Sequence, residues 1–437
     1  MERIIGLRRE DKNKWEKRVT LSPEHVKLLK EDYGIKTILQ PFEARAIPRS
    51  EFEAAGAEFD EDLSRCQTIF AVKEVPLNLI LPEKTYLFFS HTVKGQAYNM
   101  PLLKKMMDLK CNLIDYEMIK DDTGRRLVFF GRFAGVAGMI DTLHLLGKRL
   151  KSKGFNNPLE EIKHAYEYKD INEAKTDLKK IGESIVENGL SDEIGPIVCG
   201  FAGYGNVSKG AQEIFDILPH QIIETEDLAK SSPLLKAGLY KVVFKEIDMV
   251  EPVSPDDKFE LQDYFDNPHK YKSKFERHIP HLNVIINAIY WNPNYPRFIT
   301  KEFLRENQNL KLEFICDITC DINGAVEPTY KSTSSDNPCY VYDAEKDSYK
   351  DGYEGKGVVI ISVDNLPTEL PSDASSEFSK ALHKFVPGIV DATLTDKFDD
   401  VDFPPEIKRA VIVYKGKLTP KYEYLNKHLE KALLQTV

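Results

Sequence analysis

Pro196-Ile197-Val198-Cys199-Gly200-Phe201-Ala202-Gly203-Tyr204-Gly205-Asn206-Val207-Ser208-Lys209-Gly210 decides the fold of this chain. A short apolar run leads into closely spaced glycines, and Val207 to Leu218 then carries apolar residues at helical spacing. The pattern predicts a strand, a tight turn and a helix. Such a unit suits a pyrophosphate: glycines let the backbone approach closely, and the helix N-terminus offers free amides and the positive end of its dipole. The candidate dinucleotide contacts are therefore Gly203, Tyr204, Gly205, Asn206, Val207 and Ser208. Gly203-x-Gly205-x-x-Ser208 has serine where the usual fingerprint has its third glycine, and Gly210 follows two residues later. The next expected strand, His220 to Glu224, ends at an acid 21 residues after Gly203, near the ~20 typical of the carboxylate that binds the adenosine ribose. Glu224 in that place favours NAD over NADP, because a carboxylate opposes a 2′-phosphate.

A length of 437 residues exceeds one ordinary core and predicts two domains. With 42% hydrophobic and 30% charged residues the chain reads as globular, and its net charge of -10 argues against a nucleic-acid partner. The six cysteines are scattered and several sit in apolar runs, which favours buried thiols over a disulfide framework. Cys316 and Cys320 lack a second pair, so no metal site is expected. No apolar run approaches the ~20 residues of a membrane span. The N-terminus enters a strand at once, and the expectation is a cytoplasmic enzyme without a targeting segment.

Taken in order, Arg3 to Leu7, Ile35 to Leu39, Thr68 to Val72, Tyr86 to Phe89 and Asn112 to Asp115 read as strands alternating with helices, the pattern of a parallel α/β sheet. Gly131 to Gly154 reads as one long helix, and a helical insert is expected near 155–190. A second alternating set starts at the glycine turn and runs through Lys241 to Phe244, Val284 to Asn287, Leu312 to Ile318 and Val358 to Val363. Helices are expected between Glu251 and Pro280, and the tail Pro404 to Leu434 reads as helical with a break near Lys415 to Pro420. The fold class is α/β: two Rossmann-like domains with parallel sheets and a cleft between them. Residues 1–134 with 368–437 form the substrate domain and 135–367 the dinucleotide domain.

Ligands of open parallel sheets sit beyond the strand carboxyl ends. Lys73, Glu74, His91 and Glu117 all follow such ends. A lone lysine or histidine is more often structural than catalytic, but a Lys and a His at the ends of one sheet can divide proton transfers. Arg8, Arg9, Glu16, Arg18, Arg125 and Arg126 form a further charged group. Its plain reading is surface charge. The sharper one is that Arg18 with Arg125 or Arg126 clamps carboxylates, while Glu16, Glu74 and Glu117 hold an ammonium group, which together suit an amino-acid-like substrate.

Lys12 to Val26, Val72 to Pro76, Phe89 to Lys94, Asp115 to Glu117, Gly124 to Arg126, Gly131 to Gly138, Gly203 to Gly210 and Asp364 to Pro367 resemble the alanine dehydrogenase and transhydrogenase superfamily. Within it the chain is most similar to the lysine-ketoglutarate reductase domains of aminoadipic semialdehyde synthases, and more distantly to fungal lysine-forming saccharopine dehydrogenases. Ala-Gly-Val-Ala-Gly-Met-Ile at 134–140 followed by Gly-Asn-Val-Ser-Lys-Gly-Ala-Gln at 205–212 carries the first likeness. The resemblance implies reductive condensation of L-lysine with 2-oxoglutarate to saccharopine, a step of lysine degradation. It places the acid-base pair on Lys73 and His91, and substrate contacts on Glu16, Arg18, Glu74, Glu117, Arg126 and Phe130, with Arg125 adjacent. Asp317 falls near the nicotinamide, with helix capping as its plain alternative. The resemblance implies NADPH, with NADH the alternative that Glu224 favours. The rival readings are another amino-acid or opine dehydrogenase, such as an alanine dehydrogenase, and a non-catalytic nucleotide-binding regulator. The superfamily contains monomers and larger assemblies, so a homo-oligomer is compatible with the sequence.

Overall fold

The computed structural model describes residues 2–434, and the chain forms two compact units, Met1–Phe130 with Pro371–Val437, and Gly131–Leu370. In the first, β1 (Ile4–Leu7) is followed by α1 (Pro23–Tyr33), β2 (Lys36–Leu39), β3 (Glu58–Phe59), β4 (Thr68–Phe70), β5 (Thr85–Phe88) and β6 (Asn112–Asp115). These six strands are parallel and lie in the order β3-β2-β1-β4-β5-β6. The order reverses between β1 and β4, which makes the ends of those two strands the topological switch point. α1 starts at Pro23 after Ser22, and its Val26 and Leu29 pack into the core.

The second unit begins with α2 (Gly131–Ser152) and α3 (Ile171–Asn188). α2 is buried nearly all round, as a helix apolar on every side must be. Then come β7 (Pro196–Ala202), α4 (Asn206–Phe215), β8 (His220–Ile222), β9 (Gly238–Phe244), β10 (Val250–Pro252), β11 (Tyr271–Ser273), β12 (Val284–Asn287), β13 (Phe314–Asp317), β14 (Cys339–Asp343), β15 (Ser348–Asp351) and β16 (Val358–Ile361). The main sheet has the order β15-β14-β16-β13-β12-β7-β9-β8. Its switch point lies between β7 and β12, directly after the glycine turn. β14 and β15 are antiparallel, so the sheet is mixed at that edge.

α2 and α4 cross at two glycines. A methyl group on Gly210 would lie 2.0 Å from the Arg132 carbonyl oxygen, and one on Gly135 would lie 1.8 Å from that of Val207. Gly210 thus does the close-packing work of the missing third fingerprint glycine, while Ser208 is buried and accepts a hydrogen bond from Gln212 Nε2 at 2.9 Å. Gly210→Ala is expected to cost about 1–3 kcal/mol through overpacking, measured as a lower denaturation midpoint. An unchanged midpoint would mean that the helices separate freely.

The segment between Glu251 and Pro280 holds the expected helices, Leu261–Asp266 and the short turns Pro268–Lys270 and Phe275–Arg277, together with the antiparallel ribbon β10-β11. One expectation needs correction: the tail is not helical throughout. After α5 (Pro371–Leu382), Val-Ile-Val-Tyr forms β17 (Val411–Tyr414), followed by β18 (Lys417–Leu418), and both extend the first sheet antiparallel beyond β6. Three of four consecutive residues are β-branched, which favours a strand over a helix.

Candidate active site

At the switch point of the first unit, β4 runs out at Phe70 and the chain continues through Val72, Lys73 and Glu74. The backbone amides of Val72 and Lys73 donate to Glu10 Oε1 and Oε2 at 2.7 and 3.0 Å. Glu10 is buried; burial and the neighbouring Glu16 push its carboxyl up to about 7 against those two amide bonds. It therefore fixes the backbone that presents Lys73. Sequence reasoning passed over Glu10 because in Arg8-Arg9-Glu10 it looks like one more loop charge.

His91 follows β5 in the left-handed region at φ 52°, a strain of about 1–3 kcal/mol for a residue other than glycine. Asn99 Nδ2 donates to its carbonyl at 2.9 Å, and its ring Nδ1 lies 2.7 Å from Glu74 Oε1. Burial works to raise the Glu74 carboxyl, but the His91 hydrogen bond and charge outweigh it and hold the group at about 2. Glu74 is thus a carboxylate at any working pH, and with Nδ1–H directed at it, Nε2 is the ring atom left for proton transfer. Ser90, just before, is anchored by Asp115 at the end of β6, whose carboxylate accepts the Ser90 amide at 2.9 Å and the Glu117 amide at 2.8 Å.

Glu16 and Arg18 form a buried bidentate pair, with Nε–Oε1 2.8 Å and Nη2–Oε2 2.6 Å. The guanidinium stacks 4.1 Å from the Phe130 ring, and Phe130 stacks on Phe378 of α5 at 4.3 Å. Arg126 pairs with Glu117. These residues belong to one unit, but several expected roles shift. Glu16 and Glu117 are each engaged by an arginine. Arg125 turns outward to Asp121 at 3.1 Å with its side chain 76% exposed. Arg8 pairs with Asp11 and Arg9 with Glu61, so neither belongs to the group around Arg18.

In the second unit, Gly203 has φ 95° and lies against Ala288 and Ile289 after β12, and open space surrounds the Cβ position of Gly205. α4 begins at Asn206 with no side-chain cap. Uncapped first-turn amides beside a glycine cradle fit a dinucleotide pyrophosphate. Asp317, at the end of β13, is buried and accepts from Asn287 Nδ2, Thr319 Oγ1 and Thr329 Oγ1 at 2.8, 2.8 and 2.6 Å. Burial nonetheless raises its carboxyl. It caps no helix and ties β12 to β13.

The largest departure concerns Glu224. The strand beside β7 is β9, not the next in sequence, and β8 lies at the sheet edge beyond it. Glu224 therefore follows a strand one place removed from the glycine turn, and the acid after the neighbouring strand is Glu246. The sequence held the signal: β9 is seven residues long and mostly buried, as a central strand should be, whereas His220-Gln221-Ile222 is short and largely exposed.

Residues 6–137 match the family described as alanine dehydrogenase/PNT, N-terminal domain, and residues 216–421 its C-terminal domain. The chain is 38% identical over 442 residues to the alpha-aminoadipic semialdehyde synthase of Arabidopsis thaliana, covering 97% of this chain and 41% of that protein. It is 36% identical to the alpha-aminoadipic semialdehyde synthase, mitochondrial, of Bos taurus, covering 97% and 48%. It thus spans less than half the length of either synthase. A saccharopine dehydrogenase (NAD(+), L-lysine-forming) of Candida albicans is 28% identical, with 87% of this chain and 90% of that one covered. The fold is that of an L-alanine dehydrogenase, at TM-score 0.63 and 17% identity over 98% of this chain and 99% of the other. A transhydrogenase from Sinorhizobium meliloti shares it at TM-score 0.55 and 14% identity over 95% and 100%. With both domains matched over most of its length, the chain belongs to the alanine dehydrogenase/PNT family.

Proposed function

We propose that this protein is a lysine-ketoglutarate reductase, joining the ε-amine of L-lysine to the keto carbon of 2-oxoglutarate and reducing the product to saccharopine. The observation that carries the reading is the grouping at the β4 and β5 ends: Lys73 held by Glu10, and His91 held by Glu74, in a chain whose relatives bear the names given above. Amine addition forms a carbinolamine, loss of its protonated hydroxyl as water forms a protonated imine, and hydride addition to that yields the secondary amine. His91, kept in one tautomer by Glu74, protonates the departing hydroxyl, while Lys73 takes up the amine proton; the reverse division uses the same two groups. Arg18, fixed by Glu16 and Phe130, meets a substrate carboxylate, and Arg126 with Glu117 serves the other charged ends. The glycine turn, with Asn206, Val207 and Ser208 opening α4, holds a nicotinamide dinucleotide, which supplies the hydride when bound.

NADPH is the donor the resemblance implies and NADH its alternative. A cytoplasmic location is part of the proposal; among the described residues no helix is long and apolar enough to cross a membrane. The test is a matrix of amines and keto acids with each dinucleotide. Oxidation of the dinucleotide is expected only when lysine and 2-oxoglutarate are both present. Turnover with pyruvate and ammonia but not with lysine would instead make the protein an alanine dehydrogenase.

A further inference from the structure

The glycine turn opens onto a pocket of about 310 Å³ within the second unit, walled by Tyr204, Glu246, Tyr264, Phe265, Tyr290 and Tyr295. Three strand ends meet there: β7 through the glycines, β9 through Glu246, and β12 through Ala288 to Tyr290. The walls also explain the long polar and aromatic segment after Glu251, which had no role in the sheet. Its short helix, Leu261–Asp266, delivers Tyr264 and Phe265 to the pocket. Tyr264 and Tyr295 meet edge to face at 5.3 Å, and Tyr290 meets Tyr295 at 6.3 Å. Tyr290 is 73% exposed and Phe265 46%. Large rings left this open beside a phosphate cradle suit a planar heterocycle, which stacks on any of their faces.

The pocket's charge is as informative as its shape. Among the described residues, Glu246 is the one charged residue of its walls, and no lysine or arginine lines it. It is half-buried, beside the Tyr204 phenol, which burial and the Glu246 carboxylate raise above its ordinary value. Lys245, the adjoining cation in sequence, is exposed, and it is not a wall residue. A 2′-phosphate placed at the end of the strand next to β7 would face the Glu246 carboxylate across a pocket with no lysine or arginine in its walls. A 2′-hydroxyl would find an acceptor.

We propose that Glu246, and not Glu224, is the residue that selects the dinucleotide: it accepts the adenosine 2′-hydroxyl and repels a 2′-phosphate, the tyrosine-walled pocket seats the adenine, and the protein uses NADH. This rests on the dinucleotide-dependent reading above. The test is equilibrium binding to the full chain by calorimetry, without substrates, using NADH, NADPH, 5′-AMP and adenosine 2′,5′-bisphosphate. The wild type is expected to bind NADH at least about 10-fold more tightly than NADPH, and 5′-AMP more tightly than the bisphosphate. Glu246→Ser is expected to erase that ratio, Glu224→Gln to leave it intact, and Tyr290→Ala to weaken 5′-AMP about 10-fold. A wild type that prefers NADPH, or a ratio unmoved by Glu246→Ser, overturns the assignment and leaves the reductase reading standing. Failure to bind any of the four ligands overturns both.

Discussion

Lys73→Met is expected to lower saccharopine-forming turnover by about 100-fold or more while dinucleotide affinity stays within about twofold. The side chain stands where β4 ends, and its backbone is pinned by the Glu10 carboxylate, so the substitution removes a proton carrier without disturbing the loop that presents it. His91→Gln should match it in size for a different reason. Glutamine can still donate to Glu74 from its amide and hold the turn, but it has no titrating nitrogen to offer a departing hydroxyl. The two losses should not multiply, because groups that share one proton path are strongly non-additive. Near-normal turnover in either variant would remove that residue from the chemistry.

Arg18→Met is the second large effect, and it falls on stability. Arg18 is 2% exposed and its partner Glu16 is fully buried, so cutting the pair leaves a carboxylate in a low-dielectric interior with its main counter-charge gone. Removing one partner of a buried pair typically costs about 3–5 kcal/mol, which for a unit of this size lowers the melting temperature by roughly 6–20 °C. Adding Glu16→Gln to Arg18→Met should restore much of that loss, because the stranded charge is then neutral. A melting temperature within about 2 °C of wild type for Arg18→Met alone would show that solvent or another group compensates Glu16. Any surviving Arg18→Met protein should also bind 2-oxoglutarate more weakly.

Most of the candidate site was legible because strand ends are legible. Apolar runs such as Thr85 to Phe88 and Asn112 to Asp115 announce strands, and the first polar residues after them are by geometry the ones at the ligand edge. That reading puts Lys73, His91 and Glu117 at such ends, while the roles proposed for them rest on the family resemblance. What stayed hidden depended on contacts distant in sequence. Glu10 matters only because two amides more than 60 residues on point at it, and no local pattern encodes that. Phe378 reaches the site by stacking on Phe130, which a reading of α5 as an amphipathic helix does not reveal. The place of Glu224 relative to the glycine turn was hidden for a related reason. Spacing from the glycine turn counts residues along the chain, whereas the neighbour of β7 is set by pairing, and β9 inserts between β7 and β8.

The antiparallel strands closing the first sheet also set a timetable for biosynthesis. Until β17 arrives, β6 is an edge with unpaired amides and carbonyls, the kind of edge that recruits other chains. At about 5–20 residues per second, the roughly 300 residues between β6 and β17 take on the order of 15–60 s to emerge from a ribosome. The second unit, whose residues are contiguous, has all its strands in hand before the first one does. The first unit is therefore the later of the two to be completed, because its β17 follows every strand of the second unit in the chain.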